Sequence, residues 1–308
     1  MNLSLHVHIL LIQILTPNQA NQTQTQPDME TPQPTPTPKE IIYIAKGQLL
    51  ATGSTAFLER LPSGDVVKTP TPTPYYPPLE YRLQGMRTEA KVYKRLGAHP
   101  RIPRFIDWNS SVCCLTIEYL ANGSLGEFIA ARAKNPRVNA ISLSLRRRWA
   151  KQAAEGVRLL HSHGVIHGDI SPRNFLLNGE LDLKIADFAG SSLLDSHSHS
   201  GEGSEPGSGP GSGLEACTFP LETRFRHPSC EDEEHLPRLE DDVFGLGSLI
   251  YFIMTGGVYP YGDVESDAVR ELFQGSRFPN VSDVAYGVVI ERCWRLQVDA
   301  GQVYGCFE

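Results

Sequence analysis

The chain has 308 residues, of which 40% are hydrophobic, so it is long and apolar enough for one two-lobed domain or two small ones. Its formal net charge of −7 excludes the strongly basic balance that nucleic-acid binding favours, and we expect no nucleic-acid partner. None of the six cysteines has C-x-x-C spacing, which predicts scattered reduced thiols and neither a zinc site nor a redox site.

Residues 1–40 are predicted to lie outside the folded domain, which then spans residues 41–308. Residues 3–15 are mostly apolar but too short to span a bilayer, and no Lys or Arg precedes them as in a signal peptide. We therefore expect neither secretion nor membrane tethering, and a cytoplasmic or nuclear location. Residues 16–38 repeat Gln, Thr and Pro, a composition that cannot bury a core and indicates a disordered tail.

Three strands are predicted over residues 46–68, at the start of the folded part. Pro62-Ser63-Gly64-Asp65 marks the turn before the last strand. Because side chains alternate along a strand, Val66 and Lys68 lie on the same face. Lys68 is therefore a cation on a largely apolar strand.

A helix is predicted over residues 81–96. Its buried stripe recurs at steps of three and four residues and consists of Leu83, Met86, Ala90 and Tyr93. Glu89 falls beside this stripe, and a carboxylate that faces inward needs a partner. Lys68 is the obvious cation, so we expect an ion pair between Lys68 and Glu89.

Residues 113–120 have the pattern of a buried strand that runs into a loop at residues 121–125. A long helix is predicted over residues 145–163, with Trp149 on its buried stripe. The basic run at residues 146–148 is interpreted as a solvated outer face of this helix and not as a phosphate-binding patch.

The most informative stretch is His167-Gly168-Asp169-Ile170-Ser171-Pro172-Arg173-Asn174, which lies between two apolar runs. After it, Asn178-Gly179 favours a two-residue type I′ hairpin turn, and the returning run alternates as a half-buried strand does. Such a hairpin brings Asp187 into the neighbourhood of Asp169. Two carboxylates and the amide of Asn174 then converge at one end of a rigid hairpin.

These converging groups suit metal and proton chemistry. Carboxylate and amide oxygens fit a hard cation such as Mg²⁺, which takes one or two carboxylates together with substrate phosphates. A carboxylate that is kept off the metal can accept a proton. The stretch therefore predicts a Mg²⁺ site beside a general base.

At this point the chain resembles the protein kinase superfamily. The run H-G-D-x-x-x-x-N at residues 167–174 is similar to the kinase catalytic loop H-R-D-x-x-x-x-N, and Asp187-Phe188-Ala189 is similar to the metal-binding D-F-G. The resemblance covers about residues 41–294 and looks most like short, lineage-restricted fungal kinases. It implies an α+β, two-lobed protein-kinase-like fold, with a small β-rich N-lobe (about residues 41–117) that has one key helix and a larger, mostly helical C-lobe (about residues 121–308).

The resemblance also implies ATP and Mg²⁺ as cofactors and a role for each polar residue. Asp169 orients the substrate hydroxyl and accepts its proton, while Asn174 and Asp187 hold Mg²⁺. Lys68 holds the nucleotide phosphates, and Glu89 holds Lys68.

Residues 51–58 are similar to the kinase glycine loop G-x-G-x-x-G-x-V, which covers the ATP phosphates. Gly53 keeps its glycine, but Ala51 and Ala56 stand where the family has glycine. A loop with two alanines is stiffer, and their Cβ atoms crowd the close backbone approach to phosphates that glycine permits.

The buried strand at residues 113–120, which runs out into residues 121–125, looks like the kinase hinge. The resemblance makes Ile117 the gatekeeper and implies that backbone groups of Glu118 and Leu120 meet adenine. Main-chain groups do the binding there, so side-chain identity is a weak guide.

The activation region departs from the family. Gly168 replaces the Arg of H-R-D, which normally meets a phosphate on the activation loop, so activity is expected not to depend on phosphorylation there. A low-complexity insert over about residues 195–216 occupies the position of that loop. Pro228 corresponds to the Pro of A-P-E, but Ser229 replaces its Glu and removes the usual buried ion pair.

Three further residues bear on the catalytic loop. Asp242 opens an apolar helix that resembles the helix under the kinase catalytic loop, where the aspartate bonds the loop backbone, and an N-cap role is compatible with this. Ser171 replaces the Lys that Ser/Thr kinases usually carry. Arg173 resembles the tyrosine-kinase loop instead.

The sequence therefore predicts an ATP-dependent protein kinase that transfers the γ-phosphate to the hydroxyl of a protein substrate, with Ser/Thr favoured over Tyr. Two alternatives stay open. One is a nucleotide-binding pseudokinase or scaffold, which is favoured by a short C-lobe and by the departures at Ala51, Ala56, Ser171, Ala189 and Ser229. The other is a small-molecule kinase of the aminoglycoside or choline type, whose loop also reads H-G-D-x-x-x-x-N.

Overall fold

The computed structural model describes residues 9–14, 39–53, 55–71, 78–134, 140–194, 223–231 and 235–308. The predicted insert at residues 195–216 and most of the predicted tail lie outside these ranges. Within them the predicted α+β, two-lobed architecture is confirmed, with an antiparallel sheet and one long helix in the N-lobe and mostly helices in the C-lobe.

Strand β1 (Ile9–Ile14) pairs antiparallel with β2 (Lys39–Ile44), with Ile9 opposite Ile44. The sequence predicted a tail over residues 1–40, and β1 lies within that range. The three isoleucines of β1 favour a strand, because β-branched side chains pack well on a pleated sheet.

The N-lobe sheet has the strand order β3-β4-β5-β7-β6. Its strands are β3 (Gln48–Thr52), β4 (Ala56–Arg60), β5 (Val66–Pro70), β6 (Phe105–Asn109) and β7 (Cys114–Ile117). The central strand β5 is buried along its whole length, and Lys68 lies opposite Leu58 on one side and Leu115 on the other. The sheet therefore fixes the position of Lys68 by backbone pairing on both sides.

Helix α1 (Leu79–Leu96) begins before the predicted start at residue 81 and ends at the predicted residue. Met86, Ala90 and Tyr93 of the predicted stripe are buried, and so is Glu89 beside them. The periodicity of the apolar residues thus gave the correct inward face of this helix.

The C-lobe consists mainly of helices joined by short strands. The helices are α2 (Leu125–Ala133), α3 (Leu143–Ser162), α4 (Leu239–Thr255), α5 (Ser266–Gln274), α6 (Gly287–Trp294) and α7 (Ala300–Gly305). The short strands are β8 (Val165–Ile166), β9 (Phe175–Leu177), β10 (Leu183–Ile185) and β11 (Ser192–Leu193). Among the described residues, no helix is both long enough and apolar enough to cross a membrane.

Helices α3 and α4 form the centre of the C-lobe. Trp149 and Leu160 of α3 are fully buried, and α4 is buried over nearly all of its length. The interpretation of residues 146–148 as a solvated face is wrong for Arg146, which donates to the carbonyl of Met254 at 2.6 Å. This arginine joins the two helices because a helix end leaves carbonyls without partners.

The predicted two-residue turn at Asn178-Gly179 is wrong. In the observed hairpin Leu177 lies opposite Leu183, so the loop between β9 and β10 spans residues 178–182. The side chain of Asn178 accepts from the backbone N–H groups of Glu180 and Asp182, at 3.1 and 2.8 Å. These local bonds stabilise a wider loop than the type I′ turn, because an Asn side chain can substitute for a backbone acceptor.

Candidate active site

Lys68 is held between two carboxylates. Its Nζ lies 2.7 Å from an oxygen of Glu89 and 2.6 Å from Oδ1 of Asp187, so the predicted ion pair with Glu89 is present. The side chains of Lys68 and Glu89 are only 7% and 1% exposed, whereas that of Asp187 is 52% exposed. The ammonium group therefore links helix α1 to the segment after β10.

The protonation of this cluster follows from burial and charge. Burial alone would lower the pKa of Lys68, but the carboxylates of Asp187 and Glu89 outweigh it and raise that pKa above its ordinary value. Burial raises the pKa of Glu89 against the opposing effect of Lys68. The nearby ammonium group lowers the pKa of Asp187.

Asp169 is oriented by its own loop. Its Oδ2 accepts from Arg173 at 2.6 Å and from Nδ2 of Asn174 at 2.8 Å, and its backbone carbonyl also accepts from Asn174, at 2.9 Å. In the described part of the chain, Oδ1 of Asp169 has no such partner. One carboxylate oxygen is thus fixed, and the other is left to accept a proton or a hydrogen bond.

Three aromatic rings, those of Tyr93, His167 and Phe188, form a column (the ring column) that packs against the segments carrying Asp169 and Asp187. Phe188 packs edge-on against Tyr93 of α1 and against His167, with ring centroids 5.2 and 5.4 Å apart. Nε2 of His167 donates to the carbonyl of Ala186 at 3.0 Å, while its Nδ1 accepts from the backbone N–H of Asp169 at 3.2 Å. The apolar stripe of α1 predicted that Tyr93 is buried, but its contact with Phe188 joins residues far apart in sequence and forms only in the folded chain.

Asp242 holds the catalytic-loop backbone. Its carboxylate accepts from the N–H groups of His167 and Gly168, each at 2.8 Å, and also contacts His161 at 3.1 Å. The bond to the loop was predicted, but the N-cap role is wrong because α4 already begins at Leu239. Burial of Asp242 inside the first turn leaves its carboxylate facing the loop instead.

Two backbone positions in the site have positive φ. Gly168 has φ of +79°, which suits glycine because it has no Cβ, and Asp187 has φ of +68°, which is uncommon for a residue with a side chain. The Lys68 ion pair and the buried ring of Phe188 on either side of this backbone hold Asp187 in that conformation.

The three residues assigned to the glycine loop have different surroundings. Ala51 and Gly53 are exposed, and the backbone N–H of Gly53 donates to the carbonyl of Ala56 at 2.9 Å. The side chain of Ala56 is buried in the N-lobe core. Its methyl group therefore faces the protein, and only the Cβ of Ala51 remains as a source of the predicted crowding.

The hinge presents two backbone groups that suit adenine. In the described ranges, neither the carbonyl of Glu118 nor the N–H of Leu120 has a backbone partner. The carboxylate of Glu118 is held by Nζ of Lys184 at 2.7 Å and by the backbone N–H of Arg104 at 2.9 Å. Burial alone would raise the pKa of Glu118, but the bonds from Lys184 and Arg104 hold that pKa below its ordinary value.

The donor set fits a divalent cation. Nδ2 of Asn174 is used by Asp169, which leaves its Oδ1, and Lys68 occupies Oδ1 of Asp187, which leaves the second carboxylate oxygen. Amide and carboxylate oxygens are ligands of hard cations such as Mg²⁺. These two residues are therefore able to hold a metal ion without breaking the contacts described above.

The two-lobed fold, the Lys68 cluster with Glu89 and Asp187, and the ordered loop around Asp169 are the features of a protein kinase domain. Residues 78–287 match the protein kinase domain family, and this match covers more than half of the chain. The chain belongs to this family. Membership implies ATP and a divalent metal.

The chain is similar to several curated kinases. It is 29% identical over 217 residues to the serine/threonine/tyrosine-protein kinase HT1 of Arabidopsis thaliana, across 68% of this chain and 50% of the relative. It is 29% identical over 216 residues to the tyrosine-protein kinase Shark of Drosophila melanogaster, across 69% of this chain and 21% of the relative. The chain thus spans half or less of the length of these relatives.

A contact that the sequence analysis missed holds α1 against the segment after β10. A Cβ built on Gly85 would lie 3.2 Å from the carbonyl oxygen and 3.3 Å from the Cβ of Ala189. Ala189 therefore fits against a helix position that has no side chain. A signal was present, because glycine inside a helix costs about 1 kcal/mol relative to alanine and indicates a close approach.

Substitution of Gly85 by valine is expected to lower the free energy of unfolding by about 1–3 kcal/mol, the usual cost of overpacking a closed contact. Adding Ala189→Gly should recover part of this loss, because it removes the methyl group that the valine meets. Urea unfolding of the wild type, both single variants and the double variant measures the coupling. Lys91→Val, at an exposed position of α1, is the control, and an equal loss there would contradict the contact.

Proposed function

We propose that the chain is a protein kinase that transfers the γ-phosphate of ATP to a protein hydroxyl, with serine or threonine as the favoured acceptor. The observation that carries this proposal is the joint placement of Lys68 between Glu89 and Asp187. That arrangement positions a cation for phosphates beside a carboxylate for a metal, which is what phosphoryl transfer requires.

Asp169 is the proposed general base. Arg173 and Asn174 hold its Oδ2, so Oδ1 is the oxygen that orients the substrate hydroxyl and accepts its proton. Proton transfer to a positioned side chain contributes roughly 10²–10⁴-fold to a rate. The bonds from Arg173 and Asn174 keep the carboxylate of Asp169 in one orientation.

Asn174 and Asp187 are the proposed ligands of Mg²⁺. A bound Mg²⁺ neutralises charge on the phosphates. Lys68 binds the α- and β-phosphates, and Glu89 keeps its ammonium group directed into the site. The carbonyl of Glu118 and the N–H of Leu120 bind the adenine edge, and the exposed Ala51 and Gly53 lie where they would cover the phosphates.

The proposal is tested by incubating the purified chain with Mg²⁺ and γ-labelled ATP, alone and with a generic basic protein. We expect Mg²⁺-dependent label on protein, and phosphoamino-acid analysis of the product distinguishes serine and threonine from tyrosine. Nucleotide binding without any transfer would favour a scaffold instead. Transfer only to small-molecule hydroxyls would favour the aminoglycoside or choline type of kinase.

Transfer is expected to survive phosphatase treatment of the enzyme. Gly168 has no side-chain cation to bind a phosphate on the activation region, and its N–H is already bonded to Asp242. Mass spectrometry confirms that phosphate has been removed, and the transfer rate is measured before and after. A loss of about tenfold or more that is reversed by incubation with ATP would contradict this expectation.

A further inference from the structure

A second cluster of ligand-type side chains lies away from the candidate active site. It comprises Cys230 in the 3₁₀ turn Pro228–Glu231, His235 after it, and Asp241 in the first turn of α4. The sulfur of Cys230, a ring nitrogen of His235 and a carboxylate oxygen of Asp241 all lie within 4.8 Å of one another. The cysteine spacing alone indicated no zinc site, because only one of these three ligands is a cysteine.

The cluster is largely enclosed and already oriented. Nε2 of His235 lies 2.7 Å from Oδ2 of Asp241, and the two side chains are 12% and 8% exposed. The backbone N–H of Arg238 also donates to Oδ2 of Asp241, at 2.8 Å, and its guanidinium contacts Oδ1 at 3.3 Å. These bonds hold the carboxylate in place. A metal ion bound by both side chains replaces the hydrogen bond between Nε2 and Oδ2, and the imidazole proton then lies on Nδ1.

The types of ligand atom in the cluster favour zinc over other divalent cations. A thiolate, an imidazole and a carboxylate are the ligands of zinc, and three protein ligands leave a fourth position for water. Ca²⁺ and Mg²⁺ prefer sets made only of oxygen, so a thiol and an imidazole count against them.

Charge also balances. Without metal the thiol keeps its proton, because burial, with a further contribution from Asp241, raises the pKa of Cys230 to about 12. Zn²⁺ together with one thiolate, one carboxylate and one neutral imidazole has no net charge, which suits a half-buried position. The S–H bond breaks, a Zn–S bond forms, and one proton goes to solvent for each ion bound.

We propose that Cys230, His235 and Asp241 form a zinc site that ties the 3₁₀ turn to the start of α4. This is the region where Ser229 stands in place of the glutamate that gives kinases a buried ion pair. The proposal does not depend on phosphoryl transfer, and it concerns different residues from the nucleotide site.

The test uses the full chain after removal of metals with a chelator. Titration with Co²⁺ is followed by absorption, because thiolate ligation gives a charge-transfer band that oxygen and nitrogen ligands do not. Zn²⁺ should then displace the cobalt at one ion per chain, with release of about one proton and a rise in melting temperature. Mg²⁺ at the same concentration should have no effect on the band.

Cys230→Ser and His235→Asn are expected to weaken zinc binding about 100-fold or more, since even residues that only hydrogen-bond to metal ligands change affinity by 10–100-fold. Cys306→Ser and His163→Asn, at exposed positions, are the matched controls and should bind zinc as the wild type does. Absence of the thiolate band in the wild type would overturn the proposal, whether or not the variants fold. An equal loss of zinc affinity in the two control variants would show that zinc binds only at the surface, and this result would also overturn the proposal.

Discussion

Substitution of Asp169 by asparagine is expected to lower the rate of phosphoryl transfer by about 10²–10⁴-fold, the contribution of a positioned base. Asparagine has nearly the shape of aspartate and can still accept from Arg173 through its amide oxygen. It cannot accept a proton from the substrate hydroxyl. The loss should therefore appear in the transfer rate, while the affinity for ATP stays close to that of the wild type.

The measurement pairs a transfer assay with nucleotide binding followed by fluorescence or calorimetry. Glu180→Gln is a suitable control, because Glu180 is an exposed carboxylate at the loop of the same hairpin. Transfer by Asp169→Asn within about threefold of the wild type would remove Asp169 from the mechanism. Loss of both ATP binding and phosphoryl transfer in Asp169→Asn would indicate a structural role for Asp169 instead.

Substitution of Lys68 by methionine is expected to abolish transfer and to destabilise the fold by about 3–5 kcal/mol, the cost of removing one partner of a buried ion pair. The buried carboxylate of Glu89 would then have no cation beside it. Because the free energy of unfolding of a protein is typically about 5–15 kcal/mol, the variant is expected to stay folded with only a small remaining free energy of unfolding. Urea unfolding and the transfer assay measure the two effects separately.

A second variant separates stability from chemistry. Lys68→Met combined with Glu89→Gln removes the uncompensated charge and should recover much of the lost stability, but no transfer, since the phosphate-binding cation is still missing. Lys91→Met, at an exposed position of α1, is the control. Recovery of transfer in the double variant would contradict the role of Lys68.

The destabilisation in Lys68→Met should depend on pH with a definite sign. Burial raises the pKa of Glu89 above 4.5, and removal of Lys68 takes away the largest opposing effect, so the variant loses stability as pH increases above about 4.5. In the wild type the lowered pKa of Asp187 gives stability that is present above about 3.8 and is lost as pH falls. The difference between the two proteins should therefore be largest near neutral pH and should narrow toward pH 4.

The sequence predicted much of the candidate site because the relevant signals are local. Apolar periodicity in residues 81–96 placed Glu89 on the inner face of its helix, and strand alternation placed Lys68 on a buried strand. An inward carboxylate and an inward cation must pair, so the contact followed from burial alone. The catalytic-loop and D-F-G-like runs then indicated the family, which the match over residues 78–287 confirms.

Local signals failed where competing local bonds exist. Asn178-Gly179 favours a two-residue turn, but the side chain of Asn178 bonds two backbone N–H groups and stabilises a longer loop. The start of α4 was also predicted too late, at Asp242 instead of Leu239, for a different reason. Its first turn is polar, so apolar periodicity did not reveal it.

By itself the sequence determined the two-lobed class of fold, the inward faces of its elements and the identity of the polar residues that meet at the candidate active site. Only the tertiary structure decided which groups separated in sequence come into contact. The fit of Ala189 against Gly85, the ring column through Phe188 and the cluster at Cys230 belong to this second group. The physical reason is that side-chain periodicity fixes the direction in which a residue points, whereas packing of whole elements fixes what it meets.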